Sequence, residues 1–443
     1  MKRTTTTLAA GVAAAVVLVA CGSNTTPPTG SSGSPAPTST ASATDETKNR
    51  VDLGTPTFSD PTNITNPLFP ISELDQVIQL GEEAGTRLRF EVTRLPETKT
   101  IDWAGQSVDT VQSQFVAYGD GRVLEVATDY FAQADDGSVW YFGEQVDNYE
   151  DGVIINNDGT WLAGKDGPPG MIMPADPKVG DVYRPENIPD LVFEEVTVLK
   201  IDQTVPGPLG DVAGAIVIEE LLMDGVIEGK TFAPAYGEFQ AVVKSEKEFV
   251  DMGLAVPTDA LGGPSPAELT AMTDGAAALR AAATAGAWNA VTATIASVQT
   301  AWDALRSDAP PKVAEVTELA LEAIAAAMEG PDAEAAGQGA IDLAQASLDL
   351  LLLHQTVPEV DRARFSLWIE QLSLDAAAGD QALVAGDAAI LQTIWQRVGH
   401  TADAVIGDAV SAQLEVLWSA ADAGDAAAAG AAATALAAAM AGS

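Results

Sequence analysis

Residues 123–142, VLEVATDYFAQADDGSVWYF, predict a β-hairpin. Apolar and polar residues alternate on both sides of Asp135-Asp136-Gly137, and this period of two is typical of strands. The Asp-Gly pair favours a tight turn, because glycine adopts positive φ at little cost. The stretch therefore predicts two antiparallel strands joined by a short turn.

The same pattern extends on both sides of this hairpin, over residues 46–260. Arg87–Val92 alternates, and Gly-containing turns recur at 119–121, 150–152 and 223–225. Prolines between 168 and 177 must interrupt the strands, because proline cannot donate to a ladder. We therefore predict an antiparallel β domain, built as a meander or an open barrel.

Residues 265–443 change to a helical pattern. Ser265-Pro266-Ala267-Glu268 has the spacing of a capping box, and the Gly/Pro-rich stretch 261–264 before it is the predicted linker. Ala-Gly-Asp recurs at Gly379–Asp380, where glycine would end one helix and aspartate would cap the next. Similar breaks are predicted at Gly386–Asp387 and Gly407–Asp408. The fold class expected is α+β, with an all-α, Ala-rich bundle after the sheet.

An internal repeat is expected in the helical part. The segment starting at Leu321-Glu322-Ala323-Ile324 aligns with the segment starting at Leu414-Glu415-Val416-Leu417. We interpret the region as two four-helix units, 265–357 and 358–443.

Composition excludes several function classes. The 443 residues include 22 Lys plus Arg and 63 Asp plus Glu, a net charge of −41, and nucleic-acid binders need clustered cations instead. One Cys and two His leave no basis for a disulfide framework or a Cys-based zinc site.

The amino-terminal residues predict export and a lipid anchor. Lys2 and Arg3 precede an apolar run at 8–20, which is too short to span a bilayer. Leu18-Val19-Ala20-Cys21 resembles the lipobox of bacterial lipoproteins. The resemblance implies a signal peptide at 1–20, acylation of Cys21 with chains such as palmitate, and attachment to the extracytoplasmic face of the cell membrane. Residues 21–45, rich in Ser, Thr and Pro, predict a disordered tether.

The β region is similar to a family of secreted bacterial β domains of uncharacterised function. The similarity lies in Asn66–Pro70, Trp140–Glu144, Gly170–Ala175 and Ala233–Gly237, and also in 159–161 and 178–181. It implies an exported, sheet-rich domain and carries no catalytic residues. Curved sheets of this kind are broadly similar to the open barrels of periplasmic lipoprotein carriers.

Two aromatic residues are the candidate ligand contacts. Alternation places Trp140 and Phe142 on one face of their strand and Tyr141 on the other. If the sheet encloses a cavity, Trp140 and Phe142 are expected to line it. If they pack in a closed core instead, the domain is an interaction module.

Other candidates favour structural roles. His354 follows Leu350 and Leu351 on an apolar stripe, whereas His400 lies on a polar one, so we expect no shared metal site and no cofactor. Arg362, Arg364 and Arg397 are expected to pair with nearby carboxylates, with an anion site as the alternative.

Three functions are compatible with these patterns. The first is a membrane-anchored, non-enzymatic binding or envelope-interaction module. The second is a carrier of lipid or apolar small molecules in the β domain. The third is a hydrolase of envelope polymers that would use two carboxylates about 5 to 9 Å apart.

Overall fold

The computed structural model describes residues 48–440, so the predicted signal peptide, Cys21 and the predicted tether lie outside the described residues. A large mixed sheet comes first along the chain and a helical domain follows. The predicted α+β class is confirmed. The strands are β1 (Asn49–Arg50), β2 (Gln76–Glu83), β3 (Thr86–Trp103), β4 (Gln106–Gly119), β5 (Arg122–Gln133), β6 (Val139–Glu150), β7 (Val153–Asn156), β8 (Trp161–Leu162), β9 (Gly170–Met173), β10 (Asp181–Ile188), β11 (Val192–Gly207), β12 (Gly210–Leu222), β13 (Ile227–Ala233), β14 (Gly237–Val243) and β15 (Glu248–Val256).

The sheet consists of two meanders joined in the middle. The chain runs outward from β2 to β7, crosses to β10, and returns through β11 to β15, which pairs with β2. The short strands β8 and β9 pair with β6. The predicted hairpin is formed by β5 and β6, which pair antiparallel. Strand β1 adds to β10 in parallel and makes the sheet mixed.

The sheet curls until its two ends meet. Gly170 in β9 lies so close to β10 that a side-chain carbon there would stand 1.8 Å from the Pro185 carbonyl oxygen. Trp161 in β8 donates from Nε1 to Oε1 of Glu186 in β10 at 2.6 Å. One apolar cluster consequently joins β3 to β6 with β10 to β13. The sheet therefore forms an open barrel with an interior.

The helices fall into two groups of four. In the described residues they are α1 (Ala267–Thr284), α2 (Trp288–Leu305), α3 (Pro311–Glu329), α4 (Ala333–Leu351), α5 (Val357–Ala378), α6 (Gln381–Val398), α7 (Ala404–Asp422) and α8 (Ala426–Met440). Helix α1 packs on α2 and α4, and α3 packs on α4; α5, α6, α7 and α8 pair in the same order. The common origin of units 265–357 and 358–443 stays a prediction.

The Ala-Gly-Asp pattern marks a helix boundary at Gly379–Asp380. Gly379 has a φ of 76°, and the Asp380 side chain accepts from the backbone N–H groups of Ala382 and Leu383. The Ser265 capping box is wrong, because α1 begins at Ala267 without a side-chain cap.

The breaks predicted at Gly386–Asp387 and Gly407–Asp408 are also wrong, since these residues lie inside α6 and α7. Gly386 instead permits close packing: a side-chain carbon there would lie 3.3 Å from Cα of Gly152, in the turn between β6 and β7. Helix α7 begins after Asp403, whose side chain accepts from the Val405 N–H.

The helical domain covers the outer face of the barrel. In β2, Val77 and Gln79 line the interior, whereas Ile78 and Leu80 pack into one apolar cluster with α1 to α5. The predicted linker 261–264 does connect β15 to α1, but the two parts share a buried interface. Among residues 48–440, no helix is long and apolar enough to cross a membrane.

Candidate functional site: the barrel interior

The open barrel contains a cavity of about 80 Å³. Apolar side chains from both halves of the barrel line one side, among them Phe115, Phe131, Val196 and Ile218. Polar and charged side chains also line the cavity, and we call Ser113, Asp129, Tyr183, Glu220, Lys230 and Glu238 its polar side; the remaining ones include Asp75, Gln79 and Arg94. A space of this size holds several water molecules or a short alkyl group.

Three of the segments on which the expected family resemblance rests contribute side chains to the cavity lining. Phe69 from 66–70, Ile172 from 170–175 and Tyr236 from 233–237 all line it. The Phe69 ring meets Phe131 edge-on, with 5.0 Å between ring centres. These segments therefore place large side chains in the cavity wall.

A polar anchor holds the first of these segments in place. The Asn66 side chain donates to the carbonyl oxygens of Gly137 and Pro174, each at 3.0 Å. Asn66 is itself buried. Since each bond crosses to another part of the β domain, the segment is fixed against the barrel.

The barrel interior is rich in carboxyl groups. Along a single strand the inward positions change from apolar to acidic within two residues, as from Phe131 to Asp129 in β5 and from Ile218 to Glu220 in β12. We define the interior acid cluster as Glu125, Asp129, Glu144, Glu186, Glu194, Glu220, Glu228, Glu238 and Glu248, which interact electrostatically with one another.

Lys230 lies within the interior acid cluster and is already fully engaged. Its Nζ stands 2.7 Å from Glu220, 3.3 Å from Glu228 and 3.7 Å from Glu238. By contrast, both carboxyl oxygens of Glu194 have no hydrogen-bond partner among the described residues. The acids therefore exceed the cationic charge that is placed among them.

Burial shifts the ionisation of the cluster. It raises the pKa of Asp129 to about 7, that of Glu186 and Glu228 to about 8, and that of Glu248 to about 9. Burial, followed by the neighbouring carboxylates, raises the pKa of Glu194 well above its ordinary range. Near neutral pH the cluster thus contains protonated carboxyl groups, which both donate and accept hydrogen bonds.

The charged side chains buried between the barrel and the helices differ from the interior acid cluster, because they include as many arginines as acids. This interface network contains three arginines and three acids: Arg89, Glu91, Asp349, Asp361, Arg364 and Arg397. Arg89 contacts Asp349 at 2.6 Å, Arg364 contacts Asp361 at 2.7 Å, and Arg397 contacts Glu91 at 2.7 Å. The predicted pairing of Arg364 and Arg397 with carboxylates is confirmed. Arg362 instead donates to the Thr401 hydroxyl at 2.9 Å.

Neither sequence-predicted ligand residue lines the barrel cavity. Trp140 donates from Nε1 to Ser138, and Phe142 packs edge-on against Phe58 in the buried core. The residue between them, Tyr141, reaches the interior, where its hydroxyl donates to Asp129 at 3.0 Å. Alternation correctly places Tyr141 on the opposite face from Trp140 and Phe142, and it is the Tyr141 face that reaches the acid cluster. Because other side chains line a cavity in the barrel, the core packing of Trp140 and Phe142 does not by itself make the domain an interaction module.

The sequence pattern does not reveal that the acids of the cavity are buried, and the reason is physical. In an alternating strand, Glu125 and Asp129 resemble the solvent-facing positions of a sheet with one buried face. The β domain instead buries both faces of several strands.

The two histidines line one cleft, which corrects the expectation that they occupy different kinds of surface. The cleft, of about 620 Å³, lies between the barrel rim and the helices. Helix α4 ends at Leu351, so His354 lies in a turn and its Nδ1 approaches the Gly262 carbonyl oxygen at 3.3 Å. His400 lies in the short 3-10 helix Gly399–Thr401.

The chain has no match to a known family model and no match among the curated proteins that were compared with it. Within residues 48–440, no group of three or more His, Cys, Asp or Glu side chains is arranged to hold a metal ion. The functional argument therefore depends on the chemistry of the cavity.

Proposed function

We propose that this chain is a lipid-anchored, extracytoplasmic binding protein without enzymatic activity, and that its β domain holds a small ligand in the barrel cavity. The observation that carries the proposal is the pairing of an apolar wall with buried polar groups. Ser113 Oγ and the Tyr183 hydroxyl line the cavity, are buried, and have no hydrogen-bond partner among the described residues.

The comparison with the interface network supports a binding role. A buried polar group without a partner costs about 1–3 kcal/mol, so folds rarely retain several of them without a use. The interface network balances three arginines against three acids, as expected where ions join two domains, although Arg364 Nε and Arg397 Nη2 have no hydrogen-bond partner among the described residues. The barrel interior has an excess of acids and unpartnered hydroxyls at a cavity wall, as expected where a ligand completes the bonding.

The size of the cavity argues for a carrier or receptor of small molecules and against the hydrolase hypothesis. Pockets that enclose drug-sized ligands measure roughly 300–1,000 Å³, whereas this cavity measures about 80 Å³. It is too small for the two sugar rings that flank a scissile bond in an envelope polymer. We therefore propose no hydrolytic reaction.

The lipid anchor can be tested independently of the cavity. Because Cys21 follows Leu18-Val19-Ala20, we expect Cys21→Ser to move the protein from the membrane fraction to the soluble fraction. Fractionation and immunoblotting of cells that produce either form measure this. Ser23→Ala serves as the matched control and should stay with the membranes. Equal membrane retention of both variants would contradict the anchor.

The cavity can be tested by filling it. We expect the full chain carrying Cys21→Ser to bind 1-hexanol in ligand-observed NMR, and we expect Val77→Phe to abolish this binding. Val77 lines the cavity, and the larger ring would occupy the space at a cost of roughly 1–3 kcal/mol in stability.

Ile155→Phe is the control, because Ile155 is exposed on β7. Circular dichroism establishes that each variant is folded, and Ile218→Phe replaces Val77→Phe if the latter is not. Unchanged hexanol binding in a folded cavity-filling variant would contradict the proposal, as would an absence of binding by the parent chain.

A further inference from the structure

The geometry points to an organic amine as the ligand of the barrel cavity: we infer that its ammonium group binds at the polar side and its short apolar part lies against the aromatic wall. This inference rests on the proposed function, since it assigns a chemical class to the same cavity. It depends on three features of the polar side, namely an existing ammonium site, unpartnered acceptors and the sign of the local charge.

The barrel already holds one ammonium group by the same chemistry. Lys230 is buried, and its Nζ is surrounded by Glu220, Glu228 and Glu238. A buried ammonium ion is tolerated only when carboxylates compensate for its lost hydration. The barrel interior therefore already stabilises one ammonium group, which belongs to the Lys230 side chain of the protein.

A second set of acceptors faces the cavity without such a partner. Ser113 and Asp129 are directly opposite on β4 and β5, so their side chains project from the same face of the sheet. Ser113 Oγ has no hydrogen-bond partner among the described residues, and neither has the hydroxyl of Tyr183, which also lines the cavity. An ammonium group has three N–H donors and can satisfy a hydroxyl and a carboxylate together.

The local charge selects a cation over an anion. Four acids (Asp75, Asp129, Glu220 and Glu238) and two cations (Arg94 and Lys230) line the cavity. Arg94 contacts Asp75 at 2.7 Å. Lys230 is engaged by three carboxylates, so it offers no free positive charge to a ligand carboxylate. Asp129, with a pKa raised to about 7 by burial, ionises readily when a positive charge arrives.

The apolar wall determines the chemical nature of the rest of the ligand. Phe69, Phe131 and Phe232 all line the cavity, with 5.0 Å and 6.5 Å between the ring of Phe69 and those of the other two. A short alkyl or aryl group packs well against such rings. The ligand class is thus a small amphipathic amine, not a polyamine whose charges extend along its whole length.

A matched series of probes tests the head group. Hexylamine, 1-hexanol and hexanoate share one alkyl chain and differ only in the head. Their dissociation constants for the full chain carrying Cys21→Ser are to be measured by calorimetry near neutral pH. We expect hexylamine to bind roughly tenfold more tightly than either of the others, because hydrogen bonds to charged groups are the stronger ones.

Substitution at the polar side locates the effect. Asp129→Asn should lower the ratio of hexylamine affinity to 1-hexanol affinity roughly tenfold, whereas Glu97→Gln, at an exposed position of β3, should leave this ratio unchanged. If Asp129→Asn does not fold, Glu238→Gln takes its place. The dissociation constants of all three probes are measured for each variant.

The possible results separate the two proposals. Equal binding of the three probes, tighter binding of hexanoate or hexanol, or an amine preference that survives both polar-side variants would overturn the amine assignment and leave the binding function standing. Failure of all three probes to bind would overturn the proposed function itself, and the amine assignment with it.

Discussion

Replacement of Arg364 by alanine is expected to lower the free energy of unfolding by about 3–5 kcal/mol. The Arg364 side chain is 0% exposed, with Nη2 2.8 Å from Asp349 and Nη1 2.7 Å from Asp361. Removing the guanidinium leaves both carboxylates buried with less positive charge than they need. It also removes the hydrogen bond that Nη1 donates to Gln76 in β2.

Urea denaturation followed by circular dichroism measures this loss. Arg306→Ala is the matched control, because Arg306 contacts Glu318 at the same 2.7 Å but both side chains are about half exposed. Exposed pairs of this kind contribute about 0–1 kcal/mol. A loss for Arg364→Ala no greater than that of the control would contradict the buried network as a source of stability.

The same network bears on the predicted domain boundary. Arg364 belongs to α5, whereas Gln76 belongs to β2, so the bond joins the helical part to the barrel. We therefore expect one cooperative unfolding transition for both parts. Protease cleavage within 261–264 stays a prediction, but the buried interface should hold the two fragments together afterwards.

The stability of the protein is expected to fall by roughly 3 kcal/mol or more as the pH rises from about 5 to about 8.5. The cause is the interior acid cluster. Burial raises the pKa of Glu186 and Glu228 from the ordinary 4.5 to about 8. Each pKa unit corresponds to about 1.4 kcal/mol, and several acids share the effect.

The sign follows from proton binding. Between these pKa values the unfolded chain has released its protons, whereas the folded chain retains them. Because the folded state binds more protons, the free energy of unfolding decreases with rising pH until the folded carboxyls have ionised. On the acid side the direction reverses at Glu91, since Arg89 and Arg397 hold the pKa of that carboxyl well below its usual range against the effect of burial. Its stabilising contribution is present above the ordinary pKa and is lost as the pH falls towards the folded value.

A single substitution distinguishes the contribution of the interior acid cluster to the pH dependence of stability from that of the rest of the protein. Glu194→Gln keeps the shape of the side chain but cannot ionise, so it should stabilise the protein at about pH 8 and change little at about pH 5. Glu97→Gln, at an exposed site, should be neutral at both. Urea denaturation at both pH values measures the difference, and a pH-independent effect of Glu194→Gln would contradict the buried ionisation.

Local sequence was sufficient for several elements. The hairpin of β5 and β6 follows from alternation around Asp135-Asp136-Gly137, and the end of α5 follows from Gly379 and Asp380, because these residues act through their own backbone or their nearest neighbours. Composition argues against nucleic-acid binding, and this stays a prediction. The anchor at Cys21 is likewise a local prediction, which fractionation will test.

The tertiary structure decided which environment each face of the alternating strands meets. Asp129 and Glu194 lie inside the barrel and Ile78 lies under the helices, because the sheet curls and the helical domain covers its outer face. Gly386 continues α6 because the turn at Gly152 approaches it, although the same Gly-Asp pair ends a helix at Gly379. A period of two places side chains on two faces but does not say which face meets water. That choice is made by contacts between residues far apart in the chain, and it created the cavity on which the proposed function depends.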